Sequence, residues 1–367
     1  MNALTFFCLA IPLIQVIYLL FFLFAFSKKS AKSSAQAVPV SIVVCAQDEE
    51  QNLRELIPVL LEQDHPEFEI IIVEDRSNDN SFEYLLEESR KNTLIKIVRV
   101  DHKPEHVNGK KYGLTLGIRA AKFDWVLFTD ADCRPSGRQW ITSMMHEADS
   151  NSQFVLGFSS YKKLPGFLNS FIRFETLLTG LQYIAYALLG KPYMGVGRNL
   201  AYRKSLFLSS KGFYPYMDTT GGDDDLFVNQ HATGFNTRIS IGVDSLVYSS
   251  PKVSWHGFYI QKLRHLSVGK YYKGSDKFLL GVFSVSWIFT TLLVLPAMYF
   301  TPFFYPILII LGFRWLIMIA VFHNASKKLG DPFEAWKIPA LDIIYAFYYL
   351  VTGLVAVASK NVRWKKS

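Results

Sequence analysis

The chain has 367 residues, 50% of them hydrophobic, a formal net charge of +8 and three cysteines. That length accommodates one domain of about 200–250 residues together with membrane segments. Cys8, Cys45 and Cys133 are too few for a disulfide framework and predict a reducing compartment. The basic residues gather beside hydrophobic segments, at 28–32, 262–277, 327–328 and 360–366. That distribution suits an anionic membrane surface; no nucleic-acid motif is present and no nucleic-acid partner is expected.

Residues 3–26 carry no charge and are long enough to span a bilayer. No basic residue precedes them and no small-residue cleavage site comes after, so residues 1–27 are expected to be a retained anchor. Lys28, Lys29 and Lys32 come next, and the positive-inside rule places the chain from residue 28 onward in the cytoplasm. The expected location is the inner membrane of a bacterium. Residues 28–38 read as a polar linker.

From there strands alternate with helices. Val40–Ala46 is a β-branched apolar run, and Leu53, Leu56, Ile57, Leu60 and Leu61 line one face of a helix. Phe68–Val73 is a second strand, 80–91 a helix and Ile95–Val100 a third strand. A loop with Gly109, Lys110 and Lys111 leads into a helix reaching about residue 121, and a strand is predicted at 124–129. This spacing implies βαβ units and a mostly parallel, Rossmann-like α/β sheet over 39–275.

Three acidic groups stand out. Asp130 and Asp132 close the fourth strand, where open α/β sheets place ligands, and strand alternation is expected to send both to one side. Two carboxylates open to solvent suit Mg2+ or Mn2+ holding a diphosphate. Asp75 closes the second strand, where a carboxylate can accept hydrogen bonds from a base or ribose; Ser77 reads as a helix cap. Gly221-Gly222-Asp223-Asp224-Asp225-Leu226 packs three carboxylates together, so at least one of their pKa values is expected to be raised. Lys110 reads either as a solvated loop lysine or as a phosphate partner.

Gln47–Asn52, Val73–Asp79, Gly109-Lys110 with Gly113-Leu114 and Gly117, and Thr129-Asp-Ala-Asp132 together resemble the family 2 glycosyltransferases of GT-A fold. Within them the chain is similar to the cellulose, chitin and hyaluronan synthase-like and ceramide glucosyltransferase-like group. The resemblance implies that Ala46, Asp48, Glu49, Asp75, Lys110 and Asp130 bind a nucleotide-diphosphate (NDP) sugar, with a UDP-sugar expected first. It makes Asp132 the direct metal ligand, with Asp130 beside it. It puts Asn199 in an acceptor-side segment where small residues let the backbone approach the sugar. The acidic triplet would supply the base, Asp223 or, one residue later, Asp224, with Asp225 on the acceptor side. Gln261-Lys-Leu-Arg264-His265 resembles the Gln-x-x-Arg-Trp motif of processive synthases, with His265 in place of Trp. Arg264 would then stabilise the leaving diphosphate, and Gln261 and His265 would lie on the acceptor side.

The implied activity is an inverting transfer of a sugar to a lipid, lipid-linked or glycan acceptor at the cytoplasmic membrane face. A processive polysaccharide synthase, a non-catalytic membrane scaffold and a nucleotide-binding regulatory module remain as alternatives. Residues 166–190 are expected to form an interfacial helix or a core helix. Leu279–Phe300 and 304–322 read as a hairpin of spans, with Arg314 inside the second. Ile338–Ala358 carries Asp342 and several tyrosines and is expected to be interfacial or re-entrant, closing a membrane region at 278–359. A basic tail ends the chain at 360–367.

Overall fold

A computed structural model of the protein describes residues 3–28, 38–105 and 107–358. Lys29, Lys32, most of the linker and the basic tail from Lys360 lie outside the described residues. In chain order, α1 (Ala3–Ser27) precedes β1 (Val40–Ala46), α2 (Glu50–Leu61), β2 (Phe68–Asp75), α3 (Ser81–Lys91) and β3 (Ile95–Val100). Then come α4 (Gly109–Ala120), β4 (Trp125–Phe128), β5 (Cys133–Pro135), α5 (Trp140–His146), β6 (Phe154–Leu156) and β7 (Ser159–Tyr161). After α6 (Phe167–Leu188) come β8 (Leu200–Arg203), α7 (Lys204–Ser209), α8 (Asp225–His231), β9 (Thr237–Ile239) and β10 (Val247–Ser249). The remainder is helical: α9 (Trp255–Val268), α10 (Gly274–Phe289), a π-helical stretch at Thr290–Val294, α11 (Leu295–Ala297), α12 (Phe304–Lys328) and α13 (Ile338–Ala358).

The elements form two compact units. One comprises Ser30–Lys162 and Leu189–Pro251; the other comprises Met1–Lys29, Lys163–Leu188 and Lys252–Ser367. The α/β unit therefore ends at Pro251 rather than at 275, and α6 and α9 belong to the helical unit.

In the α/β unit a seven-stranded sheet has the order β3-β2-β1-β4-β8-β6-β9. The pairs β1–β2, β2–β3 and β1–β4 are parallel, with Val40 opposite both Phe68 and Trp125. The antiparallel partners β4–β8 and β8–β6 make the sheet mixed beyond β4. The central strands read as unbroken apolar runs because both faces are covered. Leu53, Leu56, Ile57 and Leu60 of α2, with Trp140, Ile141, Met144 and Met145 of α5, build the core with β1, β2 and β4. Strand order reverses between β1 and β4, and ligands bind in such a crevice at the carboxyl ends of the strands.

Two glycines decide how closely α4 lies on this sheet. A Cβ on Gly113 would stand 3.0 Å from Cys45 Sγ. On Gly117 it would stand 2.7 Å from Val73 Cγ2 and 2.8 Å from Val43 Cγ1, inside any real contact distance. Asn108 caps the helix, its side chain accepting from Lys111 N. The first turn of α4, with Lys110 and Lys111, is thereby delivered to the carboxyl ends of β1 and β2.

In the helical unit, four helical segments among the described residues are long and apolar enough to cross a membrane: Thr5–Ser27, Gly274–Val294, Phe304–Lys328 and Ala335–Ala356. α1 packs against α12, α10 and α6, and α13 packs against α9. Gln15 Nε2 donates to Phe283 O (2.9 Å) and Ser286 Oγ (2.6 Å), satisfying both N–H groups of this amide between apolar helices. α6 is a core helix, with Phe174 stacked on Phe322 at 5.3 Å. α13 is unbroken, and Asp342 does not mark a re-entrant break. Its carboxylate accepts from Arg314 Nη1 (2.7 Å) and Nη2 (2.9 Å), both residues being buried.

Candidate active site

The carboxyl ends of β1 and β2 are stitched together by their loops. Asp48 adopts a left-handed backbone (φ 54°). Its amide donates to Ser77 Oγ (3.0 Å), and its Oδ1 accepts from Asn78 N (2.7 Å). Glu49 N donates to Ser81 Oγ (3.2 Å), and Glu49 Oε2 accepts from Asn52 Nδ2 (2.6 Å). Ser77 therefore ties two loops and does not cap a helix; Asp79, accepting from Ser81 N (3.0 Å), serves the first turn of α3 instead. Ala46 ends β1, buried beneath these loops.

Asp75 is buried at the end of β2, and its Oδ1 accepts from Arg76 Nε at 2.8 Å. Arg76 also has a left-handed backbone (φ 56°), a conformation that costs a non-glycine residue energy and is common where ligands are gripped. Gly109 opens α4 beside Asp75, where a Cβ would lie 3.1 Å from Oδ2.

β4 stops at Phe128, so Asp130 and Asp132 sit in the turn beyond it and not on a strand. The turn closes with Cys133 N donating to Asp130 O (3.0 Å). It nevertheless brings ligand atoms of Asp130, Asp132 and Cys133 within 4.8 Å of one another. Ser249 Oγ donates to Asp132 Oδ2 (3.4 Å).

Lys110 connects this turn to the acidic triplet. Its Nζ lies 3.0 Å from Asp130 Oδ1 and 3.4 Å from Asp223 Oδ2. Gly221 (φ 81°) and Gly222 (φ 83°) both take left-handed backbone, which lets the chain turn sharply into the triplet. Asp224 then turns away from open space. Its Oδ2 accepts from Gly197 N (2.6 Å) and its Oδ1 from Asp225 N (2.8 Å), capping α8. Asp225 is buried in the first turn of α8, its Oδ1 accepting from Leu226 N (2.9 Å).

This layout sets the charge of each group. Burial works against the ammonium of Lys110, yet Asp130, Asp223 and Asp224 outweigh it and hold its pKa well above the ordinary lysine range. Burial raises Asp223, but Lys110 and backbone hydrogen bonds bring it below the usual carboxylate value. Burial and the neighbouring charge of Asp223 push Asp224 up. The triplet thus contains one carboxylate held ionised and one held at a cost.

Three residues that spacing does not single out complete the site. Lys111 is fully buried and donates to Tyr216 O (2.6 Å) and Thr219 O (2.7 Å), pinning the segment that leads into the triplet. Burial lowers its pKa to about 8. Arg198 stacks 4.6 Å above the Tyr161 ring, and its buried Nη1 has no hydrogen-bond partner among the described residues. Burial opposes its charge, but Tyr161, Cys133, Asp130 and Asp132 more than offset this and raise its pKa. Ser249, on β10, is the third, through its bond to Asp132.

Asn199 is a correction. Its side chain is buried, accepts from Trp140 Nε1 (2.9 Å) and donates to Phe158 O and Ser245 O (both 2.7 Å). A fully committed amide is a structural clamp, not an acceptor contact. Gly197 likewise makes room for Asp224, whose Oδ2 would lie 3.2 Å from a Cβ there. Gln261, Arg264 and His265 lie on α9 of the helical unit, three and four residues apart on one face, with Arg264 Nη2 3.2 Å from His265 Nε2.

Residues 41–209 match the family model "Glycosyl transferase family 2". A poly-beta-1,6-N-acetyl-D-glucosamine synthase of Staphylococcus epidermidis is 34% identical over 103 residues, which is 28% of this chain and 24% of that protein. An uncharacterized glycosyltransferase of Haemophilus influenzae is 28% identical over 125 residues, 34% of this chain and 37% of that one. The chain thus matches only between a quarter and two fifths of these relatives' length. Among solved structures, the mannosyltransferase PcManGT of Pyrobaculum calidifontis, in complex with GDP-Man and Mn2+, superposes with a TM-score of 0.60. The sequences are 16% identical, and the likeness covers 98% of this chain and 99% of that one. With the parallel sheet and the acidic turn after β4, these likenesses make residues 41–209 a family 2 glycosyltransferase domain of GT-A fold.

Proposed function

We propose that the protein is a membrane-embedded, inverting glycosyltransferase that moves a sugar from an NDP-sugar to a lipid, lipid-linked or glycan acceptor. One observation carries this reading: Lys110 holds Asp130, from the turn after β4, and Asp223, from the turn before α8, on either side of one ammonium. Carboxylates from two distant parts of the chain converge where the strand order reverses, which is where a nucleotide sugar would be handled.

The donor set suits a hard divalent cation. Asp130 and Asp132 offer the oxygen ligands that Mg2+ and Mn2+ prefer. Asp132 would hold Mg2+ or Mn2+, with Asp130 beside it; a bound cation there would neutralise charge on the diphosphate. Asp48 and Asp75 would hold the base and ribose, and Lys110 and Arg198 would face the phosphates. Asp223 would take the proton of the acceptor hydroxyl as its oxygen bonds to C1 and the C1–O bond to the diphosphate breaks. The electron pair leaves with the NDP, and single displacement inverts C1. For Arg264 and Gln261, on α9, the proposed roles are stabilising leaving-group charge and binding acceptor.

Three basic positions support a cytoplasmic site. Lys28 comes directly after α1, Lys327 and Lys328 end α12, and Lys328 Nζ donates to Phe26 O, so both helix ends share one membrane face. The local similarity to a poly-N-acetylglucosamine synthase favours polymer synthesis as the second reading, with His265 at the motif's Trp position against it. The test is a screen of NDP-sugars, UDP-sugars first, against a membrane lipid extract, with mass detection of glycosylated product. Product formation that is abolished in a folded, inserted Asp132→Ala variant supports the reading; unchanged turnover in that variant sinks the metal role.

A further inference from the structure

The helical unit contains a cavity of about 380 Å³ bounded by the segment before α6, the first two turns of α6 and the entry to α13. Three cations line it: Lys163, Arg173 and Lys337. Two carboxylates answer them. Arg173 Nη2 lies 2.9 Å from Asp331 Oδ1, and Glu334 is shared by Lys163, by Arg173 at 3.9 Å and by Lys337 at 3.7 Å. One carboxylate shared by three cations, with one positive charge left over, is an arrangement that favours a further anion.

Arg173 supplies the sharper signal. Its side chain is 4% exposed, and its Nε has no hydrogen-bond partner among the described residues. A buried guanidinium N–H without an acceptor is costly, and Arg173 is one of the residues that line the cavity. Ser170, whose hydroxyl accepts from Lys337 Nζ at 3.1 Å, and Gly166, at the positive end of the 22-residue helix α6, complete a donor-rich wall.

The level of the cavity points to its occupant. Phe304–Lys328 and Ala335–Ala356 are both long and apolar enough to cross a membrane, so the connection between them lies at a membrane face. Asp331 and Glu334 belong to that connection, and Trp336, 78% exposed, is placed as an interfacial anchor. Leu164, 43% exposed, offers an apolar lip beside the cations. We propose that this cavity binds the phosphate group of an anionic membrane lipid. The Arg173 guanidinium, Lys163 and Lys337 are the donors, and Glu334 releases its partners to the phosphate. The site is independent of the transferase reading.

The experiment uses the full-length protein in detergent, titrated with phosphatidylglycerol or phosphatidylcholine and read by native mass spectrometry and thermal melting. A basic residue at a lipid surface changes affinity by roughly fivefold. The wild type is expected to retain phosphatidylglycerol over phosphatidylcholine, and Lys163→Gln with Lys337→Gln to cut that preference by roughly 10- to 25-fold. A control pair of exposed lysines in the α/β unit, Lys91→Gln with Lys122→Gln, keeps the preference. Equal retention of both lipids overturns the proposal, as does an equal loss in the control pair. Inorganic phosphate alone raising the melting temperature as much as phosphatidylglycerol would assign the cavity to free phosphate and overturn the lipid.

Discussion

Asp223 and Asp224 are chemically identical neighbours, but the fold gives them different work, and substitution by Asn should separate the two. Asp224 spends both oxygens on backbone amides, Gly197 N at 2.6 Å and Asp225 N at 2.8 Å. Asparagine keeps one acceptor and aims an NH2 at the other amide, removing a charge-assisted bond and stranding a donor. A hydrogen bond to a charged group contributes about 1.5–3 kcal/mol. Relief of repulsion with Asp223, which helps raise the Asp224 pKa, returns part of that. The net cost is about 1–3 kcal/mol, a fall in melting temperature of roughly 3–10 °C for a domain of this size. Asp223 meets Lys110 at 3.4 Å, and Lys110 keeps Asp130 at 3.0 Å when that charge is removed, so Asp223→Asn should cost less stability than Asp224→Asn. As the proposed base, its loss should lower kcat by about 10²–10⁴. The donor KM should stay near the wild-type value. The assay pairs NDP release and product formation with thermal melting of each variant in detergent. A stable, inactive Asp224→Asn together with an active Asp223→Asn would refute this division of labour.

Individual contacts lead to three more expected outcomes. Burial lowers Lys111 from the ordinary lysine value of 10.5 to about 8, so its charged form is penalised in the folded state at all pH values below about 8. That penalty, about 3 kcal/mol at most, disappears as pH rises towards the unfolded value. The wild type should therefore gain stability relative to Lys111→Met between pH 8 and 10.5, and parallel pH–melting curves would contradict the burial argument. Gly117→Ala should destabilise by about 1–3 kcal/mol through overpacking, because Val73 and Val43 methyls stand 2.7 and 2.8 Å from the new Cβ. Melting unchanged from wild type would show that α4 can lift off the sheet freely. For the buried pair in the membrane unit, Arg314→Met or Asp342→Leu alone should each cost about 3–5 kcal/mol, and the double substitution far less. Additive losses in that cycle would mean that the two residues are not coupled.

Much of the fold is written in local pattern. β1 and β2 are apolar runs buried on both faces, and their turns into α2 and α3 come at short range, so the parallel half of the sheet is readable residue by residue. The site was legible where chemistry sits at strand ends. Asp75 ends β2 and Asp130 and Asp132 come just after β4, although the last two converge through a turn and not through strand alternation. Spacing cannot convey which of two adjacent residues faces the site. Arg198 and Asn199 are neighbours, yet the asparagine is clamped by Trp140, Phe158 and Ser245 and the arginine keeps a buried Nη1 with no hydrogen-bond partner among the described residues. Those partners come from three separate stretches of chain, and no local signal announces them. Long-range grouping also draws the unit boundary, since α6 leaves the α/β unit and the chain returns to it at Leu189.

Arg314 and Asp342 show the same limit in its sharpest form. Taken singly, each is a charge that an apolar helix should not carry, and Asp342 in particular argues against α13 crossing a bilayer. Brought together, they form a bidentate pair at 2.7 and 2.9 Å, with Trp315 Nε1 donating to Asp342 Oδ2 at 2.8 Å and Trp287 beneath the guanidinium at 5.2 Å. The cost of each charge is then largely offset by the other, and the feature that spoke against a crossing becomes the polar tie between α12 and α13. A sequence presents the two residues 28 positions apart, as two separate penalties; only the packing of the helices turns them into one interaction.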